Sequence, residues 1–103
     1  MRKKTFKVVI KREDTLVIKE VEGYFTWLGN IRFFIYKDQL YNKWYVIDLD
    51  TGMALEDGYS MSDAKKNTFE SLARFNEFKE TEKYKQHRFM YQKLLKEDNE
   101  KVV

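Results

Sequence analysis

The sequence predicts an α+β protein: an antiparallel meander of about four strands, followed by one long or two consecutive C-terminal helices. Three observations predict it. Up to about residue 60 the apolar residues alternate or cluster in short runs rich in Val, Ile, Phe, Tyr and Trp, as strands do. All four glycines, Gly23, Gly29, Gly52 and Gly58, lie in that stretch. From residue 61 onward there is no glycine, and Lys, Glu, Ala, Leu and Phe dominate. A chain of 103 residues makes one domain, with the sheet at about 5–55 and the helical part at about 61–97.

The first strand is expected at about Thr5–Lys11, with Phe6, Val8 and Ile10 on one face. Arg12-Glu13-Asp14 reads as a polar turn. The second strand runs from about Leu16 to Leu28, with its phase disturbed near Glu20–Gly23, where Gly23 fits a bulge or a bend. "WLGNIRFF" is the clearest local signal, because Gly29-Asn30 between two aromatic runs is a two-residue hairpin loop. That loop pairs Leu28 with Ile31, Phe25 with Phe34 and Glu22 with Lys37, all favourable neighbours. The third strand is then about Ile31–Lys37. "KDQLYNK" is a longer loop, and the fourth strand is about Lys43–Leu49, with a short extended piece, Met53–Leu55, after it.

The helical part opens at Ser60-Met61-Ser62-Asp63, a capping box, with Tyr59 placed to staple against Ala64. Met61, Ala64, Thr68, Leu72 and Phe75 recur at helical spacing, and Phe69, Ala73 and Phe78 widen the stripe. A second segment, about Lys83–Lys96, aligns Tyr84, His87, Tyr91 and Leu94. Glu80-Thr81-Glu82 between them is either a break or a polar stretch of one helix.

With no cysteine, disulfides, Cys-containing zinc sites and thiol chemistry are excluded. Aromatic residues make up 17% of the chain, which argues against disorder. No apolar run approaches the ~18 residues of a membrane span, and no h-region follows the basic opening "MRKKTFKVVIKRE". The expectation is a mature, cytoplasmic chain with no membrane partner. The net charge of +3 is unevenly spread: residues 1–12 carry +6, residues 13–60 carry −5, and the remainder +2. A basic end of this kind is either a solvated strand or a phosphate-binding surface.

Asp50-Thr51-Gly52 resembles the signature of the aspartic proteases. Their site needs two such loops, a glycine-rich flap and a second apolar strand, whereas this chain turns helical after Gly58. Asp, Thr and Gly are also turn formers, so the segment is expected to be a turn. Asp48, Asp50, Glu56 and Asp57 lie close enough in sequence to suggest a hard cation, but Gly52 stands where an EF-hand loop requires another ligand. His87 is the only histidine, and no nucleophile elbow, dinucleotide-binding glycine pattern or phosphate-binding loop is present. No enzymatic activity, cofactor or metal is therefore expected.

The Gly29-Asn30 register sorts the rings onto two faces. Phe25, Trp27, Arg32, Phe34 and Tyr36 share one; Tyr24, Thr26, Leu28, Ile31, Phe33 and Ile35 share the other. One face must meet the helix that starts near Met61. The other is covered within the chain, by a partner protein, or by nucleobases. The leading expectation is a non-enzymatic interaction protein that binds another protein or itself, with Phe25, Trp27, Phe34, Tyr84 and Tyr91 as contact residues. Homodimerisation through the apolar stripe of "KYKQHRFMYQKLL" is part of that expectation. The alternative is nucleic-acid binding by Lys3, Lys4, Lys7, Lys11, Arg12 and Arg32, with the aromatic face as a stacking platform.

The stretch "KWYVIDLDTGMALEDGYSMSDAKKNTFESL" resembles the HicB arrangement of a strand, a polar turn, a short stretch ending in glycine, and a Ser-capped helix with Asp-Ala in its first turn. Strands followed by a capped helix are also similar to the double-stranded-RNA-binding-domain-like fold. The aromatic, lysine-rich, proline-free composition resembles small proteins of Gram-positive bacteria and their prophages. These resemblances imply an α+β fold that acts by binding.

Overall fold

The computed structural model describes residues 2–100. Five strands, β1 (Lys4–Arg12), β2 (Thr15–Leu28), β3 (Ile31–Asp38), β4 (Lys43–Asp48) and β5 (Ala54–Gly58), form one antiparallel sheet in chain order. The short extended piece after the fourth strand is thus a fifth strand. It pairs Trp44 with Gly58 and Val46 with Glu56, and a bulge shifts its register before Ile47 meets Ala54.

Glu13-Asp14 turns β1 into β2, pairing Arg12 with Thr15. The Gly29-Asn30 reversal pairs Leu28 with Ile31 and Phe25 with Phe34, as the aromatic runs predict. The expected Glu22–Lys37 pair does not form. The β2–β3 pairing begins only at Tyr24 and Ile35, and Glu22 lies opposite Thr5 of β1. The reason is Gly23. There β2 changes partner, from β1 along residues 15–23 to β3 along residues 24–28. A Cβ at this position would overlap the Ile35 carbonyl oxygen and the side chains of Tyr36 and Phe34. Only glycine lets the strand pass so close while it bends.

The bend decides what covers the second face. The β1–β2 hairpin curls over it, and Phe6, Val8 and Ile10 pack with Phe25, Phe34, Tyr36 and Ile47. The Phe6 ring stacks on Phe34 with centroids 5.1 Å apart, and Phe25 meets Phe34 edge-on at 5.1 Å. The curl brings β1 round to the β4–β5 turn, where the Val9 N–H donates to the Gly52 carbonyl at 2.7 Å. The face is therefore closed within the chain by its own N-terminal hairpin. Burying one such phenylalanine fully contributes about 1.5–3 kcal/mol.

Helices α1 (Met61–Glu70), α2 (Leu72–Phe78) and α3 (Glu82–Glu100) cover the opposite face. Phe33, Ile35 and Val46 pack there against Ala64, Phe75 and Tyr84. Ser60 caps α1, its Oγ accepting the Asp63 N–H at 3.0 Å. The expected staple is absent: Gly58, not Tyr59, lies against Ala64, and Tyr59 is exposed. The expected stripe of Met61, Ala64, Thr68, Leu72 and Phe75 does face the core, but the helix that carries it is broken at Ser71. The hydroxyls of Thr68 and Ser71 donate back to the carbonyls of Ala64 and Thr68, and Ser71 leaves helical geometry at φ −102°, ψ 7°. The buried face continues in phase across that break, and of the residues expected to widen it Phe78 is half-buried while Phe69 and Ala73 face solvent. Glu80-Thr81-Glu82 is a true break. Thr81 accepts the Tyr84 N–H at 3.2 Å and donates to the Phe78 carbonyl at 2.7 Å, starting α3 without glycine or proline.

Helix α3 ties the two halves together. Tyr84 packs edge-on against Phe75 and Phe78, and two turns further on Tyr91 reaches Phe6. Near its end Asp98 pairs with Lys7 at 2.7 Å. Among the described residues no helix is long and apolar enough to cross a membrane.

Candidate interaction surface

The Asp50-Thr51-Gly52 segment is a turn, and the carboxylate it buries is Asp48 rather than Asp50. Asp48 accepts hydrogen bonds from the hydroxyls of Thr51 and Tyr84, both at 2.8 Å. Burial raises its pKa above the usual carboxylate range; the two hydroxyl donors oppose that shift, and the nearby Asp50 adds to it. Asp50 itself is exposed. Gly52, at φ +68°, lies against the ring of Tyr91. The Tyr91 hydroxyl donates to the Lys7 carbonyl, and burial pushes its pKa up to about 12. Sheet, hairpin and α3 thus meet at this turn. Among the described residues no group of three or more His, Asp or Glu side chains lies close enough together to hold a metal ion.

Of the residues expected at a binding surface, the structure leaves few on it. Phe34 is fully buried, and Tyr84 and Tyr91 are buried in the chain's own core. These three are not contact residues. The stripe of α3 that argued for dimerisation is already satisfied by the sheet, and Phe89 and Met90 on its other sides are exposed instead. Phe25 is half-buried beneath the Arg32 guanidinium, which lies 4.3 Å from its ring centre. Trp27 remains 65% exposed. The basic residues do not form one stripe. Lys3, Lys4, Lys11, Arg12 and Arg32 are exposed, but strand alternation sends Lys4 and Arg12 to one face of β1 and Lys7 and Lys11 to the other. Lys7 is half-buried and held by Asp98 and Asn99. His87 is half-buried beside Tyr84 and Phe78, where it lines a small pocket with Thr51.

The exposed apolar residues that the fold does concentrate lie at the other end of β4, in the β3–β4 turn. One Asp38 carboxylate oxygen accepts the N–H groups of Leu40 and Tyr41 at 2.8 and 3.3 Å. This is the local Asx arrangement that competes with regular structure at turns. Asn42 completes the reversal with φ +55°, a conformation asparagine tolerates better than most residues. The ordered turn presents Leu40 at 82% exposure and Tyr41 at 64%. Tyr59 joins them from the start of the helical part. Trp44 pairs with Gly58, which brings Tyr59 beside Lys43, whose ammonium is 5.3 Å from its ring centre. At the base of the turn the rings of Tyr36 and Tyr45 lie 5.9 Å apart. Burial, then Asp38 and Tyr45, push the Tyr36 pKa up to about 12, and burial followed by Asp38 and Asp57 raises that of Tyr45. Both phenols stay neutral and able to donate hydrogen bonds.

This surface is hard to see in the sequence, because "KDQLYNK" is polar enough to be an ordinary loop. The signal was there: Leu40-Tyr41 at the middle of a turn has no core to face. Comparison with protein families, with curated proteins and with solved structures finds no match.

Proposed function

We propose that this protein is a non-enzymatic interaction module that binds another protein chain through the β3–β4 tip, with Leu40 and Tyr41 as anchors and Tyr59 and Lys43 nearby. The observation that carries the reading is the pair of Asp38 hydrogen bonds, which hold two exposed apolar residues in one geometry. Pre-ordering lowers the entropy lost on binding, and tyrosine offers a large amphipathic contact with few torsions to freeze. Trp27, with Phe25 and Arg32 beside it, is a smaller second patch at the Gly29-Asn30 end.

A photo-crosslinking amino acid placed at Tyr41 tests the reading in the producing cell, with the same group at Glu13 as the control. The expected result is one or a few discrete adducts from position 41, lost when Leu40→Ser is added. Equal labelling from both positions would overturn it. An adduct at twice the chain's mass identifies the partner as a second copy. The nucleic-acid reading has its own measurement, retardation of DNA or RNA at ~50 mM salt with affinity falling steeply as salt rises.

A further inference from the structure

We infer that the cleft beside the tip receives the carboxylates of an acidic peptide, one of whose apolar side chains rests on Leu40 and Tyr41; this rests on the protein-binding reading of that tip. The cleft, of about 460 Å³, lies between the β1–β2 hairpin and the end of β3. Val21, Tyr36 and the exposed Leu40 line it, together with Lys3, Lys19 and Lys37. The ion pairs among the described residues, Lys7–Asp98 and Lys85–Glu82, involve none of these three lysines. Two acids also line the cleft, and one of them is already engaged: an oxygen of Asp38 holds the turn. The other, Glu22, is exposed.

Three lysines against Glu22 and Asp38 leave the lining with a net charge of +1, and with no ion pair among the described residues holding the lysines the recess favours negative charge. The apolar part of the lining selects among anions. A phosphate backbone carries charge along a continuous track and needs a continuous basic groove. Here the basic recess includes the exposed Leu40, which a phosphate chain would desolvate for no return. A peptide offers both features at the right spacing, because carboxylates and an apolar side chain alternate within a few residues.

The test is fluorescence anisotropy at ~50 mM salt with a short labelled peptide of glutamates around one leucine. The comparisons are the same peptide with glutamine for glutamate, the same peptide with alanine for leucine, and a labelled oligothymidylate. The glutamate–leucine peptide is expected to bind, with affinity about tenfold weaker for either altered peptide and for Lys19→Glu or Lys37→Glu. Both lysines are exposed, so these variants are expected to keep the wild-type urea midpoint. No binding of the acidic peptide, equal binding of its glutamine form, indifference to both charge reversals, or tighter binding of the oligothymidylate would each overturn the inference. Crosslinking at Tyr41 reads the tip separately. Discrete adducts there with no acidic-peptide binding would remove this inference and leave the protein-binding reading standing.

Discussion

The two turns at the ends of β4 are built from the same local chemistry and put to opposite uses. Each is organised by an aspartate at the end of a strand. At one end Asp48 gathers the hydroxyls of Thr51 and Tyr84, Gly52 fits under Tyr91, and the Gly52 carbonyl takes the Val9 N–H. At the other end Asp38 gathers two N–H groups of its own turn, and the side chains beyond it point into solvent. The inner turn joins three parts of the fold. The outer turn is equally ordered but contacts little beyond itself. The proposed binding surface rests on that difference, and the contrast can be attacked from either side.

The largest effect is expected from Gly52→Ala. The position has φ +68°, and a Cβ there would lie 2.5 Å from the Tyr91 ring. Backbone strain and displacement of Tyr91 add together, for a loss of about 3 kcal/mol or more. The urea midpoint should fall well below that of Asn42→Ala, which removes a left-handed residue from the outer turn. Equal losses at the two turns would mean that the inner one is not the junction described above.

Tyr84→Phe is next. It keeps the ring packed against Phe75 and Phe78 but leaves Asp48 with one hydroxyl donor in place of two. A buried carboxylate losing a donor costs about 1–3 kcal/mol. The same change at the outer turn, Tyr41→Phe, removes a hydroxyl that faces water and should leave the midpoint unmoved.

Asp48 also gives the inner turn a pH dependence. Burial raises its folded-state pKa above the unfolded value, so the folded state holds the proton more tightly. Its stabilising contribution is fully present below the ordinary carboxylate pKa and is lost as pH rises through the raised folded value. Wild-type stability should therefore fall relative to Asp48→Asn as the pH is raised from the ordinary carboxylate range toward neutrality. Parallel stability–pH curves for the two proteins would show that Asp48 titrates normally.

Much of this architecture was legible in the sequence where the signal is local. Gly29-Asn30 between aromatic runs fixed the register of β2 and β3, and Ser60 fixed the start of α1. The break at Ser71 was missed because it comes from hydroxyls of Thr68 and Ser71 bonding back to carbonyls, with no glycine or proline to announce it. Cover of the second face within the chain was among the expected alternatives, but the element that provides it, the β1–β2 hairpin, was not legible. Gly23 was readable as a bend, but its angle is set by the close approach to Ile35 and Tyr36, which pairing alone does not reveal. That one bend buries Phe34 and, with α3, Tyr91, so residues chosen as contacts for their aromatic character became core. The exposed anchors lay instead in a segment whose polarity disguised them.

The smallest effect on stability is expected at the outer turn, and there it is most informative. Leu40→Ser with Tyr41→Ser removes two largely exposed side chains that meet little of the core, so the midpoint should shift by no more than about 0.5 kcal/mol. Capture by a crosslinker at Tyr59 should nonetheless be lost. Asp38→Ala separates order from contact. It leaves Leu40 and Tyr41 in place and removes the acceptor that holds their N–H groups, at a cost of about 0.5–1.5 kcal/mol. If binding depends on a pre-ordered turn, this variant loses capture although every anchor remains. Undiminished capture by Asp38→Ala would show that the anchors work from a loose loop, and the likeness between the two turns would then end at their hydrogen bonds.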